Sequence, residues 1–115
     1  EKLGTSDKLE IGKMVRGWLI DFMTSAPLVR MVVQGVHAVD TVRKIVGPTM
    51  PYQAELGTIR GDFSVDSPAL ANAEKRSVMN LIHASETQEE AMHEIKHWFG
   101  EDAAILDYKR FGVDL

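Results

Sequence analysis

Two short apolar runs, LVRMVVQG at residues 28–35 and VMNLIHAS at 78–85, most limit how this chain can fold. The first is rich in β-branched residues and closed by a glycine, and both read as strands. Around them the periodicity is helical. In LEIGKMVRGWLIDFM, Ile11, Met14, Val15, Trp18, Leu19 and Phe22 recur at three- and four-residue spacings, which predicts a helix with one buried face. Ser6 or Asp7 can cap it, Asp7 and Glu10 fit a capping box, and Ser25-Ala26-Pro27 ends it. HAVDTVRKIVG places Val39, Val42, Ile45 and Val46 on one side of a second helix, with Gly47 as C-cap. TQEEAMHEIKHWF is a third helix, with Thr87 and Glu90 as its capping box. From Pro48 to Val78 no strong period survives the punctuation by Pro48, Pro51, Gly57, Gly61 and Pro68, and only ALANAEKR has helical character. A loop of that length in a compact domain is usually functional. The order helix, strand, helix, long loop, strand, helix describes an α+β or α/β domain with few strands.

Composition narrows the function classes. The 115 residues suffice for one domain with its own core. A net charge of −4 excludes a basic footprint for nucleic acid, so any phosphate site must be a local cluster of donors. The absence of cysteine excludes disulfides, a thiolate nucleophile and a cysteine zinc site. No stretch approaches the roughly 18 apolar residues of a membrane span. The expected setting is soluble and cytoplasmic, with no membrane or specific nucleic-acid partner.

HEIKH, residues 93–97, matches the His-Glu-x-x-His pattern of zinc hydrolases. Ala91, Ile95 and Trp98 define the buried face of that helix. At about 100° per residue, His93 and His97 fall on the solvent side and Glu94 on the flank of the buried face. A catalytic zinc needs inward imidazoles and a third protein ligand. The residues predict two solvated histidines and no protein-held metal.

His37 stands at a strand-to-helix turn and reads as a helix-starting residue. His83 ends an apolar strand just before a helix, where function concentrates. A lone histidine there is commonly structural, but three features favour chemistry. Ser85 lies on the same side of the chain, Glu94 projects from the next helix toward the same corner, and Arg43, Thr49 and Arg60 supply phosphate-binding side chains. A histidine nucleophile held by a carboxylate and facing Arg and hydroxyl donors is what phosphoryl transfer requires. The structural alternatives are a solvated Arg43 and an Arg60 that pins its loop by bonding carbonyls.

GTIRGDF with NLIHAS, followed by EEAMHEIKHWF, resembles the nucleoside diphosphate kinase family. SAPLVRMVVQG is similar to the family's central strand segment and HAVDTVRKIVGPT to its nucleotide-gripping helix and loop, so the resemblance covers nearly the whole chain. It implies transfer of the γ-phosphoryl of a nucleoside triphosphate to a histidine and then to a nucleoside diphosphate. His83 matches that histidine, Ser85 and Glu94 the pair that orients it, Arg43, Thr49 and Arg60 the phosphate-binding residues, and Asn80 the sugar contact. It further implies Mg²⁺ carried on the nucleotide, nucleoside di- and triphosphates as partners, indifference to the base, and a homo-oligomer, hexamer or tetramer. The implied fold is a ferredoxin-like βαββαβ sandwich, an antiparallel sheet with helices on one face. A catalytically inactive relative or fragment, serving as a nucleotide-binding or assembly module, is the alternative.

The chain departs from the family pattern in four places. It opens Glu1-Lys2-Leu3-Gly4-Thr5, without an initiator Met and without the family's first strand, its Lys-Pro-Asp-Gly motif, or the helix and strand that follow. That lysine contacts the phosphates, and that strand lies between the two runs found here. Residues 1–115 are therefore expected to be the C-terminal portion of a single domain, unstable and inactive alone. About ten extra residues, Ser67 to Arg76, resemble the insert of longer archaeal-type members. The base-stacking position falls near Arg16 or Trp18. Ala84 and Glu86 stand where Gly and Asp are usual.

Overall fold

The computed structural model describes Gly4, residues 6–101, and the backbone of residues 109–110 and 113–114. Of the opening pentapeptide only Gly4 is among them. Five α-helices are described: α1 (Lys8–Met23), α2 (Ala38–Val46), α3 (Ile59–Phe63), α4 (Pro68–Ala73) and α5 (Gln88–Phe99), with a 3₁₀ turn at Pro51–Gln53. β1 (Lys109–Arg110) and β2 (Val113–Asp114) form an antiparallel pair.

The helix boundaries follow local chemistry. Asp7 caps α1, accepting from the Leu9 N–H at 2.9 Å. Gly47 ends α2 at a φ of 88°, and a Cβ there would lie 2.8 Å from Thr58 Oγ1, so both conformation and space require glycine. Thr87 caps α5 by accepting from the Glu90 N–H at 3.0 Å, while the Glu90 carboxylate accepts from the Glu86 N–H at 2.5 Å. This reciprocal pair is the expected capping box, shifted one residue toward the N-terminus on its return bond. Helix α4 starts earlier than ALANAEKR implied, because Ser67 caps it and Pro68 suits the first helical position. It stops at Ala73, before Lys75 turns left-handed at a φ of 53°.

The expected sheet is not seen among the described residues. Neither residues 28–35 nor 78–85 pair into a ladder, so the antiparallel sheet of a βαββαβ sandwich is not formed by them. A strand is defined by its neighbour, and neither run meets one among the described residues. Residues 28–35 are instead tied by Arg30, which stacks 4.8 Å above the Phe99 ring and donates to the Trp98 carbonyl at the end of α5. The later run is kinked rather than straight. Leu81 has a φ of 70° at the centre of a γ-turn closed by Ile82 N–H to Asn80 O at 2.8 Å.

The apolar faces are less covered than the periodicity predicts. Val15, Leu19, Ile45 and Trp98, all expected inside, are exposed. Ile11, Met14, Trp18 and Phe22 on α1, and Ala91 and Ile95 on α5, are half-buried. Among the described residues the buried apolar ones are Val46 at the end of α2, Pro51 in the 3₁₀ turn and Ala71 in α4, with α3 packed against both α2 and the 3₁₀ turn. The radius of gyration is 17.4 Å, against about 13 Å for a compact domain of this length. Among the described residues no helix is long and apolar enough to cross a membrane.

Candidate functional site

GTIRGDF folds as a knot of local bonds around one inward arginine. Thr58 caps α3, accepting from the Gly61 N–H at 3.0 Å and donating to Glu55 O at 2.6 Å. Asp62 reaches back to accept from the Gly57 N–H at 2.8 Å. A Cβ on Gly61 would stand 2.0 Å from the Glu55 carbonyl oxygen, so only glycine lets the helix approach its preceding loop this closely. The result turns Arg60 inward, where it is 7% exposed.

Arg60 joins three segments. Its Nη1 donates to Gly47 O at 2.9 Å, its Nε to Asn80 O at 3.0 Å, and its Nη2 to Ile82 O. The structural reading of Arg60, a loop pin bonding carbonyls, therefore describes real contacts. It does not exhaust the side chain, because a guanidinium carries five N–H donors. Burial and, after it, the charge of Arg43 lower the Arg60 pKa from its ordinary value. An arginine nevertheless stays charged at any physiological pH.

His83, with its side chain 69% exposed, is held from behind. Its Nε2 lies 2.8 Å from Glu94 Oε1 and 3.0 Å from Oε2. The Ser85 hydroxyl donates to Glu94 Oε2 at 2.7 Å. Burial works against the charge on Glu94, but hydrogen bonds from Ser85 and His83 outweigh it and hold the pKa below its ordinary value. An ionised carboxylate can only accept, so Nε2 carries the proton in this pair and Nδ1 keeps the lone pair.

A cavity of about 230 Å³ brings the predicted residues together. Arg43 from α2, Thr49 from the loop after it, Arg60 from α3, and Asn80 and His83 from the kinked segment all line it. Ser85 and Glu94 stand behind the imidazole. Glu86 and Glu90 also line the cavity, a feature the sequence reading missed. Arg16 and Trp18 on α1 contribute nothing to this lining. His37 starts α2 in a left-handed conformation and borders a different hollow of about 380 Å³. His93 and His97 are exposed on α5, as its register predicts. Gly47 lines the cavity too, while Thr58, Gly61 and Asp62 shape it without lining it. Their one visible signal was the density of Gly and Thr around Arg60.

The chain matches the nucleoside diphosphate kinase family over residues 9–104. It is 51% identical over 104 residues to a curated nucleoside diphosphate kinase from Pyrobaculum aerophilum, covering 90% of this chain and 57% of that protein. It is 47% identical over 92 residues to the one from Borreliella burgdorferi, covering 80% and 54%. The chain thus spans about half the length of the curated relatives it matches. Among solved structures, an NDP kinase from Pyrobaculum aerophilum superposes with a TM-score of 0.79 at 52% identity, over 88% of this chain and 56% of that one. A transition-state mimic of the Borrelia burgdorferi enzyme with bound vanadate and ADP gives 0.76 at 41% identity, over 96% and 66%. The match runs through α1 to α5 and every residue of the cavity lining, and the chain belongs to the nucleoside diphosphate kinase family.

Proposed function

We propose that this chain carries the phosphoryl-transfer half-site of a nucleoside diphosphate kinase, with His83 as the transient phosphate carrier. One observation carries the reading. Glu94 occupies Nε2 of an exposed imidazole that borders a cavity shared with Arg43 and Arg60. In the first step the Nδ1 lone pair attacks the γ-phosphorus of a nucleoside triphosphate. The bond from that phosphorus to the β,γ-bridging oxygen breaks, and the diphosphate leaves with the electron pair. In the second step the β-phosphate oxygen of another nucleoside diphosphate attacks the phosphohistidine and restores Nδ1. Nε2–H stays on Glu94 throughout, so Glu94 stabilises the cationic imidazole while Ser85 holds the carboxylate. Arg43 and Arg60 offset charge on the equatorial oxygens. Thr49 binds phosphate and Asn80 the sugar. A magnesium ion carried on the nucleotide would neutralise phosphate charge there, and the Glu86 and Glu90 carboxylates could accept hydrogen bonds from its bound waters.

The same reading takes residues 28–35 and 78–85 to be strands of a ferredoxin-like sheet in the whole domain, and the exposure of Val29, Met31 and Val33 supports it. It treats the chain as part of a single such domain, with 67–76 an insert, working as a homo-oligomer in the cytoplasm. The test is incubation of the intact polypeptide with γ-labelled ATP and Mg²⁺. An acid-labile, base-stable phosphoprotein that disappears in His83→Ala is the expected result. A folded, nucleotide-binding protein that takes no label would instead make it a non-catalytic nucleotide module.

A further inference from the structure

Taking that reading of His83 as given, we infer that Asp66 and Arg76 form a clasp that positions the histidine-bearing segment, making them positioning residues for phosphoryl transfer. Asp66 is 7% exposed, an unusual place for a carboxylate; its backbone carbonyl accepts the Tyr52 N–H at 3.1 Å, while its carboxylate reaches Arg76 and Met79. Arg76 grips it with both terminal nitrogens, Nη1 at 2.6 Å from Oδ2 and Nη2 at 3.0 Å from Oδ1. The same Oδ2 accepts the Met79 N–H at 2.7 Å. Ser64 Oγ donates to the Met79 carbonyl at 3.2 Å, so Met79 is fixed on both its polar groups by the turn that follows α3.

From Met79 onward the chain has little freedom before His83. Asn80 N–H bonds Val78 O at 3.1 Å and Ile82 N–H bonds Asn80 O at 2.8 Å, two successive tight turns around the left-handed Leu81. Arg60 holds the carbonyls of Asn80 and Ile82. The backbone that delivers His83 thus takes its order from side chains of 60, 64 and 66. Arg76 matters because a carboxylate this buried needs its charge balanced to remain an acceptor for Met79. The segment between the two residues, α4 and its caps, places the guanidinium on that carboxylate. A tilt of the segment at Met79 is carried by stiff turns to the imidazole, where displacement of about 1 Å can cost 100-fold in rate.

The test uses the intact protein, with Asp66→Asn, Arg76→Ala and Arg76→Lys beside wild type. Single-turnover labelling of His83 is followed per folded molecule, together with the KM and kcat of steady-state transfer. Nitrogen NMR of the His83 ring reads its tautomer without needing turnover. Asp66→Asn and Arg76→Ala should slow labelling by about 10- to 100-fold while KM changes less than about twofold. Both should mix the Nδ1–H form into an otherwise Nε2–H ring. Arg76→Lys, which keeps the charge but loses the fork, should recover part of the rate. Lower melting temperatures with unchanged rate and unchanged tautomer would leave the clasp purely structural and overturn the inference. A wild type that takes no label, but whose His83 tautomer still responds to Asp66→Asn, would sink the kinase reading and keep the positioning role.

Discussion

Two regions of this molecule are built on opposite principles. From Gly47 to His83 the chain has few buried apolar side chains, yet it is densely bonded: Arg60, Ser64 and Asp66 hold backbone 13 to 22 residues away, and Thr58 and Arg76 hold backbone close by. Helix α1 and residues 28–36 are the reverse, apolar in pattern and open to solvent, with Leu19, Met31 and Val33 exposed and Val29 87% exposed. The first region carries its order in directional bonds. The second can gain stability only by burying surface against something else. The candidate cavity sits in and beside the first, lined by Arg43, Thr49, Arg60, Asn80 and His83.

The largest expected effect is Gly61→Ala. Its methyl group has no room beside the Glu55 carbonyl, and overpacking against backbone should cost about 3 kcal/mol and unseat Arg60; calorimetry with circular dichroism reads it. Next is Arg60→Lys, which leaves carbonyls of Gly47, Asn80 and Ile82 without their fork. A loss of about 2 kcal/mol should accompany at least a 100-fold fall in transfer rate. If stability were untouched, the bonded region would not be what holds itself together.

Acid should separate the regions further. Arg76, the main cause, holds the Asp66 pKa down at about 2. A lowered carboxylate pKa adds stability above its unfolded value, and that stability is lost as pH falls through the folded one. Melting temperature should therefore drop between about pH 4 and pH 2, and Asp66→Asn should flatten that part of the curve. The smallest effects belong to exposed positions. Glu74→Gln removes an outer partner of Arg76 and should change stability by less than about 0.5 kcal/mol. Val29→Thr should be equally mild in chemical denaturation. A cost at Val29 near that of Arg60→Lys would mean its face is covered in the working protein, and would erase the contrast.

What could be read from the chain alone followed the range of the forces involved. Caps at Asp7, Thr87 and Gly47 were legible because they act within one helical turn. The meeting of His83, Ser85 and Glu94 was legible because a strand end and the next helix are close in sequence. Strand pairing was not, since it depends on a neighbour the run itself does not specify. Helix α3 escaped notice because five residues, three of them engaged in capping or inward bonds, show no apolar period. The Asp66–Arg76 pair was invisible for another reason: the helical character of ALANAEKR does not say where that helix starts or stops, and the pairing depends on Ser67 capping α4 and the chain turning after Ala73. A carbonyl-bonding Arg60 was legible as one alternative, but which carbonyls it holds was not, because Gly47, Asn80 and Ile82 lie 13 to 22 residues away.

The three carbonyls held by Arg60 restrict how the protein can be altered. Under the proposed function, a change at position 60 meant to weaken anion recognition would disturb the scaffold as well. Arg43, exposed on α2 at the rim of the same cavity, is the dial that can be turned alone.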